Sequence, residues 1–239
     1  MIKPLLTLAL SCLFLTATAQ EQPTDYKRSQ FSISYGLANP AGDFGNDDWD
    51  EPNPPFAKNG SLLSLSYTKG LGKHFGLGAT WARRSNDFNS SQYLKYRKDT
   101  NYSYTKASGD AWKSSFALGD VYLKAPLHSS GTVNLLLYAK ASAGMAFHTS
   151  PSYNLETAFD RQTYDAMKDK TFAYGFGAGL EFTSGHFGLG FEANLLSASA
   201  EFERVTHSKD EYNQPKTYTR TIEQGLNTFN AAVKLSYIL

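Results

Sequence analysis

The sequence predicts an all-β fold, an eight-stranded antiparallel up-and-down transmembrane β-barrel, and three observations predict it. Apolar and small polar residues alternate with a period of two over eight segments of about ten residues, the length a tilted strand needs to cross a bilayer. Long polar segments and short turns join these segments alternately, giving four long loops and three short turns. Roughly thirty large side chains fall on the apolar faces, whereas an eight-stranded barrel holds about three layers of four inside. The apolar faces therefore look at lipid, and the Gly, Ser, Ala, Thr and Asn faces line a narrow lumen. A soluble barrel, with its apolar face inward, does not fit that volume.

The chain opens outside this pattern. Met1-Ile2-Lys3 is a positive n-region, Leu5 to Leu15 an apolar core and Ala17-Thr18-Ala19 a small-residue cleavage site. Residues 1–19 thus read as a signal peptide and residues 20–239 as a single barrel domain. Cys12 lies in the apolar core, so the exported chain has no cysteine and no disulfide framework is expected. Removing Lys3 leaves 22 basic against 22 acidic residues, and a neutral chain gives no support to nucleic-acid binding. Past the signal no run of 18 apolar residues occurs, so a barrel is the form in which this chain can span a membrane.

The first strand sets Phe31, Ile33, Tyr35 and Leu37 against Ser32, Ser34 and Gly36. Residues 39–59 break the alternation with four prolines and with Asp43, Asp47, Asp48, Asp50 and Glu51, an acidic loop without the ligand order of a calcium loop. The second strand carries Leu63, Leu65 and Tyr67, turns at Gly70 to His74, and returns as a third with Phe75, Leu77, Ala79 and Trp81. Residues 83–111 form a basic, tyrosine-rich loop that reads as a hairpin above the membrane. In the fourth strand Phe116 and Leu118 sit in one phase and Val121 and Leu123 in the other, which a bulge near Gly119-Asp120 would reconcile. The fifth runs from Val133 to Phe147, and the loop after it could form a helical turn or two over Thr157 to Met167. Strands six and seven are a glycine-rich hairpin, Phe172 to Phe182 and Phe187 to Leu195. Residues 197–228 are a further long loop with strand-like flanks, and Phe229 to Leu239 closes the chain. Trp81, Tyr35, Tyr67, Phe147 and Tyr237 are placed near strand ends, where aromatic girdles meet the interface.

The segment Gly36-Leu37-Ala38-Asn39-Pro40-Ala41-Gly42-Asp43-Phe44-Gly45, the turn GLGKHFGLG from Gly70 to Gly78 and the last strand FNAAVKLSYIL resemble the small outer-membrane barrels of the OmpA and OmpX kind, in the variant common in Bacteroidota. The resemblance implies an outer-membrane location with extracellular long loops, periplasmic turns and periplasmic termini. It implies outer-membrane lipid, lipopolysaccharide and the assembly machinery as partners, and a monomer. Members commonly end in an aromatic residue that the assembly machinery reads, and here the last residue is Leu239.

Three groups of residues are candidates for function. Lys140, Glu181, Glu192 and Lys234, with Asp120, fall on the lumen side, with Glu192 expected opposite Lys234; they read as an ion-pair plug, or as a gated polar path. His148 and Ser150, with Glu156 or Asp160, have the residue types of a base, a nucleophile and an orienting group for acyl transfer, as in barrel enzymes that deacylate lipid A. A histidine beside a turn serine is the commoner explanation. Loops 83–111 and 197–228, as protruding hairpins, could take up an extracellular protein by strand addition. The expectation is a structural or surface-binding, adhesion-type protein and not a general-diffusion porin. A lipid A acyl hydrolase and a small narrow pore are the alternatives, and no cofactor or metal ion is expected.

Overall fold

The computed structural model describes residues 28–46, 54–100, 104–130, 133–158, 161–209 and 215–239. The expected signal peptide, residues 47–53 of the acidic loop and Asp160 lie outside the described residues. In chain order the strands are β1 (Ser29–Ala41), β2 (Ala57–Gly70), β3 (Phe75–Phe88), β4 (Tyr104–Gly109), β5 (Trp112–Ser130), β6 (Val133–Thr149), β7 (Tyr153–Thr157), β8 (Arg161–Tyr164), β9 (Lys168–Ser184), β10 (Phe187–Lys209), β11 (Pro215–Gly225) and β12 (Asn227–Ile238). A 3-10 turn at Gly42–Gly45 follows β1, and one helix, α1 (Ser90–Thr100), follows β3.

Eight strands close on themselves in the order β10-β12-β1-β2-β3-β5-β6-β9, with β9 pairing back onto β10. The wall therefore has no edge, which is how a sheet satisfies every backbone group inside a bilayer. Alternation along each strand becomes inside and outside: Phe31, Leu77, Phe176, Phe191 and Leu235 stand exposed, while Ser32, Ser64, Thr80, Lys140 and Asn230 are buried in the lumen. An apolar belt of that kind is the face a bilayer covers. The short turns keep to one end, and Gly185 takes the positive φ of 59° that a tight hairpin needs. Of the aromatic residues assigned to strand ends, Tyr35 and Trp81 stand at the middle of β1 and β3.

Three further expectations are corrected. The register across Gly119 and Asp120 is unbroken on both sides of β5, and its irregularity lies at Pro126/His128, where proline has no N–H to give. Phe116 and Leu118 simply point inward, because the lumen at their level is an apolar layer with Leu62, Ala82 and Leu196. Residues 83–111 are not a hairpin: β3 continues to Phe88, α1 follows, and β4 pairs with β7. Asn89 caps α1, its Oδ1 accepting the Gln92 N–H at 3.3 Å and its carbonyl the Tyr93 N–H at 2.9 Å. In place of a helical turn within Thr157 to Met167, Arg161–Tyr164 is strand β8, which pairs antiparallel with β7 and completes a three-stranded sheet β4-β7-β8.

Candidate functional site

Toward the short-turn end, the lumen is filled by layers of paired charges. Glu192 accepts from Lys140 Nζ at 2.5 Å, from the Tyr138 hydroxyl at 2.8 Å and from Asn194 Nδ2 at 3.0 Å. Glu181 accepts from Lys234 Nζ at 3.2 Å and, at 2.5 Å each, from Ser236 Oγ and Gln30 Nε2. Asp120 takes the hydroxyls of Thr80 and Ser142, each at 2.5 Å. Exposures of 9% for Lys140, 8% for Glu192, 5% for Lys234 and 2% for Glu181 mean that these charges rely on each other and not on water.

The partners differ from those expected. Lys234 lies opposite Gly190, not Glu192, and each cation reaches over a glycine to a carboxylate two strands away. In register the rows read Lys234, Gly190, Glu181 and Tyr138, Gly179, Glu192, so the glycine in the middle is the gap through which the flanking side chains meet. A Cβ on Gly179 would run into the Tyr138 ring, and one on Gly190 would sit 2.8 Å from the Leu180 carbonyl. Gly179 and Gly190 are thus required by the ring and the backbone packed against them. A cavity of about 20 Å³ among Ser64, Thr80, Ser142 and Asn194 has room for about one water.

Above the apolar layer stands Arg84, 1% exposed, on the lumen side of β3. Its guanidinium donates to the Leu226 carbonyl at 3.0 Å, to Thr228 Oγ1 at 2.9 Å and to Ser114 Oγ at 3.0 Å, between the rings of Phe44 and Phe116. Phe44, Trp112, Phe202 and Leu226 close the lumen above it. A second cluster of Phe56, Tyr93, Tyr104, Tyr153 and Leu155 seats α1 and the small sheet on this lid. Phe56 has a φ of 51°, a strained value for a large side chain, held by the rings of Tyr93 and Tyr96 at 5.4 and 5.5 Å. Burial, and then the neighbouring Tyr153, raise the Tyr93 hydroxyl above the usual phenol range.

His148 and Ser150 are not at the lipid rim. Both are buried, and they serve different contacts: His148 Nδ1 lies 2.8 Å from Ser114 Oγ, and Ser150 Oγ accepts the Met167 N–H at 2.8 Å. His148 Nε2 meets no hydrogen-bond partner. Glu156 is elsewhere, on β7, in loose ion pairs with Lys106 at 3.9 Å and Arg161 at 3.7 Å. The described residues do not assemble these side chains into a nucleophile, base and orienting group. Ser150→Ala is therefore expected to cost about 1–3 kcal/mol by stranding the Met167 N–H, with lipid A acylation unchanged. Mass spectrometry of lipid A beside a urea titration checks both halves.

A candidate surface that the sequence did not indicate is at the other end of β9 and β10. Their pairing stops at Ala198↔Ala173, and beyond it Asp169 Oδ2 takes the Glu201 N–H at 2.9 Å in place of a strand partner. The strands part there around a cleft of about 880 Å³ lined by Tyr153, Tyr164, Asp165, Lys168, Glu203 and Arg204. Among the described residues no group of three His, Cys, Asp or Glu is placed to hold a metal ion.

The chain is similar in fold to a major outer membrane protein of Thermus thermophilus, with a TM-score of 0.53, 13% identity, and coverage of 88% of this chain and 99% of that one. Ail, the attachment invasion locus protein of Yersinia pestis, in complex with the heparin analogue sucrose octasulfate, gives a TM-score of 0.44 and 15% identity over 89% of this chain and 98% of that one. Neisserial surface protein A gives 0.42 and 8% over 88% and 96%. No curated protein matches the chain. The family model for the outer membrane protein beta-barrel domain matches residues 6–237, so this closed antiparallel barrel belongs to that family and has its place in the outer membrane.

Proposed function

We propose that this barrel is a surface-binding protein of the adhesion type and neither a conduit nor a hydrolase. Its long-loop end faces the outside, and its short turns, Arg28 and Leu239 lie on the periplasmic side. The observation that carries this reading is the contrast between the two parts of β10. Along the wall its side chains help to fill the lumen, whereas past Ala198↔Ala173, its last pairing with β9, it runs on to Lys209 and pairs with β11 alone. β11 is the end strand of its sheet, with one unpaired edge. A row of free N–H and C=O groups of that kind accepts an extended segment of another protein as an added strand. Across the hairpin from that edge, on the β9 side of β10, the cleft with Tyr153 and Arg204 in its wall offers a second place for a partner's side chains. A monomer surrounded by outer-membrane lipid, delivered by the assembly machinery after cleavage before Gln20, accounts for the remaining features.

Two measurements test it. In planar bilayers the folded protein is expected to give no stepwise conductance, and porin-sized steps would overturn the closed lumen. Cells displaying the full chain are expected to retain extracellular proteins, and shortening the hairpin by deleting Thr206 to Tyr218 is expected to remove most of that retention while leaving a heat-modifiable barrel. Equal retention by both forms would overturn the role of the hairpin.

A further inference from the structure

Between the lid over the lumen and the small sheet β4-β7-β8 lies a cavity of about 140 Å³, lined by the rings of Phe56, Tyr93, Trp112, Tyr153, Tyr164 and Phe202. An apolar cavity of about 150 Å³ takes one benzene ring, so this space fits a single aromatic group. Neutral polar groups in its lining are engaged with backbone: Trp112 Nε1 donates to the Pro55 carbonyl at 3.0 Å, and Ser150 Oγ accepts the Met167 N–H at 2.8 Å. The charged residues in the lining are Arg97 and Arg204, with no carboxylate among the described ones. Arg97 donates to the Tyr104 hydroxyl at 3.1 Å and is held over that ring. Arg204, its guanidinium 5.9 Å from the centre of the Tyr164 ring, takes part in no ion pair among the described residues.

The cavity adjoins the cleft of about 880 Å³ beside β10, for Tyr153, Tyr164, Met167 and Arg204 line both. In the cleft the balance of charge reverses. Asp165, Asp169, Glu201 and Glu203 stand there against Lys168 and Arg204. Asp165, Glu201 and Glu203 are exposed, while Asp169 is tied to the Glu201 N–H. Going inward, a ligand therefore meets an excess of carboxylates, then Arg204, then a space walled by rings. A quaternary ammonium, a common guest of aromatic cages, is repelled by the two guanidinium groups. A simple aromatic acid answers the guanidinium but is repelled at the mouth. A molecule with an ammonium outermost, a carboxylate beside it and a ring within answers all three zones, and a free amino acid with an aromatic side chain is that molecule.

We propose that the cavity and the inner end of the cleft bind a free aromatic α-amino acid. Its ring lies among Phe56, Tyr93 and Tyr153, its carboxylate on Arg204, and its ammonium toward Asp165 and Glu203. A guanidinium takes a carboxylate through two parallel N–H bonds, which fixes the ligand at the boundary between cavity and cleft. A residue inside a peptide lacks both charges and a terminal residue lacks one, so the site selects the free amino acid. The inference rests on the long-loop end facing outward and not on strand addition at β11.

The test is equilibrium dialysis of labelled phenylalanine against the detergent-folded full chain, with phenylalanine amide, 3-phenylpropionate and alanine as parallel probes. These lack the carboxylate, the ammonium and the ring in turn. Saturable binding of phenylalanine is expected, with each probe at least about tenfold weaker. Arg204→Gln should weaken phenylalanine about tenfold and leave the amide unchanged. Lys113→Gln, which removes an exposed cation from the outer wall of β5, should change neither. Should Arg204→Gln lose its heat-modifiable band, the probes on wild type decide alone. No saturable binding, any probe bound as tightly as phenylalanine, or a folded Arg204→Gln that binds as wild type does would each overturn the site. Retention of extracellular proteins by cells is a separate readout, so failure of the hairpin and failure of this site are told apart.

Discussion

Gly36→Ala is expected to prevent the barrel from closing. Gly36 faces the lumen on β1 and pairs with Ala232 of β12 at the seam where the first strand meets the last. A Cβ there would fall against the Ala231 carbonyl oxygen and Ala232 Cα, closer than non-bonded atoms approach. Both are main-chain atoms, fixed by the pairing of β12 with β1 on one side and β10 on the other. Neither strand can yield without disturbing a register that runs from Gln30↔Ile238 to Ala41↔Asn227. Overpacking a side chain that can move aside costs about 1–3 kcal/mol, and backbone that cannot move costs at least the upper part of that range. The expected result is loss of the heat-modifiable folded band, or a urea midpoint lowered by at least about 3 kcal/mol of stability. Gly119→Ala is the control: its nearest neighbour is the Ala143 carbonyl oxygen at 3.8 Å, so a change within about 0.5 kcal/mol is expected. If the two variants fold alike, close approach at the seam is not what fixes Gly36.

The wall of this barrel was legible because lipid and lumen impose opposite demands on successive residues. Phe187, Leu189 and Phe191 against Gly188, Gly190 and Glu192 can be read without coordinates. Reading failed where one face changes character along a strand. Phe116 and Leu118 are lumen residues because the lumen itself passes from charged to apolar above Asp120, and a rule of one polarity per face turned that change into a bulge. The charge pairs failed for another reason. Antiparallel neighbours suggested Glu192 with Lys234, but long side chains in a narrow lumen reach past a glycine to the next strand but one, so Lys140 and Lys234 find Glu192 and Glu181. Helix α1 did have a local signal, Asn89 as cap with Tyr93 and Tyr96 three apart on one side, but the surrounding tyrosines also suit strands. β7 and β8 are too short for periodicity to reveal, and what holds them is Tyr153 stacked on Tyr164 at 4.6 Å and on Phe88 at 5.8 Å.

Lys140→Met is expected to lower stability by about 3–5 kcal/mol, because it leaves a buried carboxylate without its cation. Glu192 would keep the Tyr138 hydroxyl and the Asn194 amide, two neutral donors, in a layer where its side chain is 8% exposed. Those donors orient the carboxylate but do not neutralise it. Adding Glu192→Gln removes the stranded charge, its amide oxygen taking the Asn194 N–H and its amide N–H going to the Tyr138 hydroxyl as acceptor, so the double variant should recover to within about 2 kcal/mol of wild type. The coupling between the two sites then measures the pair itself. With Glu192→Gln alone as the fourth corner, urea titration followed by the unboiled gel band gives all four stabilities. The outcome also bears on transport. A loss below about 1 kcal/mol for Lys140→Met is the value of a solvated surface pair, and it would mean that water reaches the carboxylate from one end of the lumen. A plug that water penetrates can pass small ions, so the same result should appear as conductance in a planar bilayer. A loss of several kcal/mol with a silent bilayer ties the two measurements to one cause, a lumen that is dry because its charges are paired across their glycine gaps.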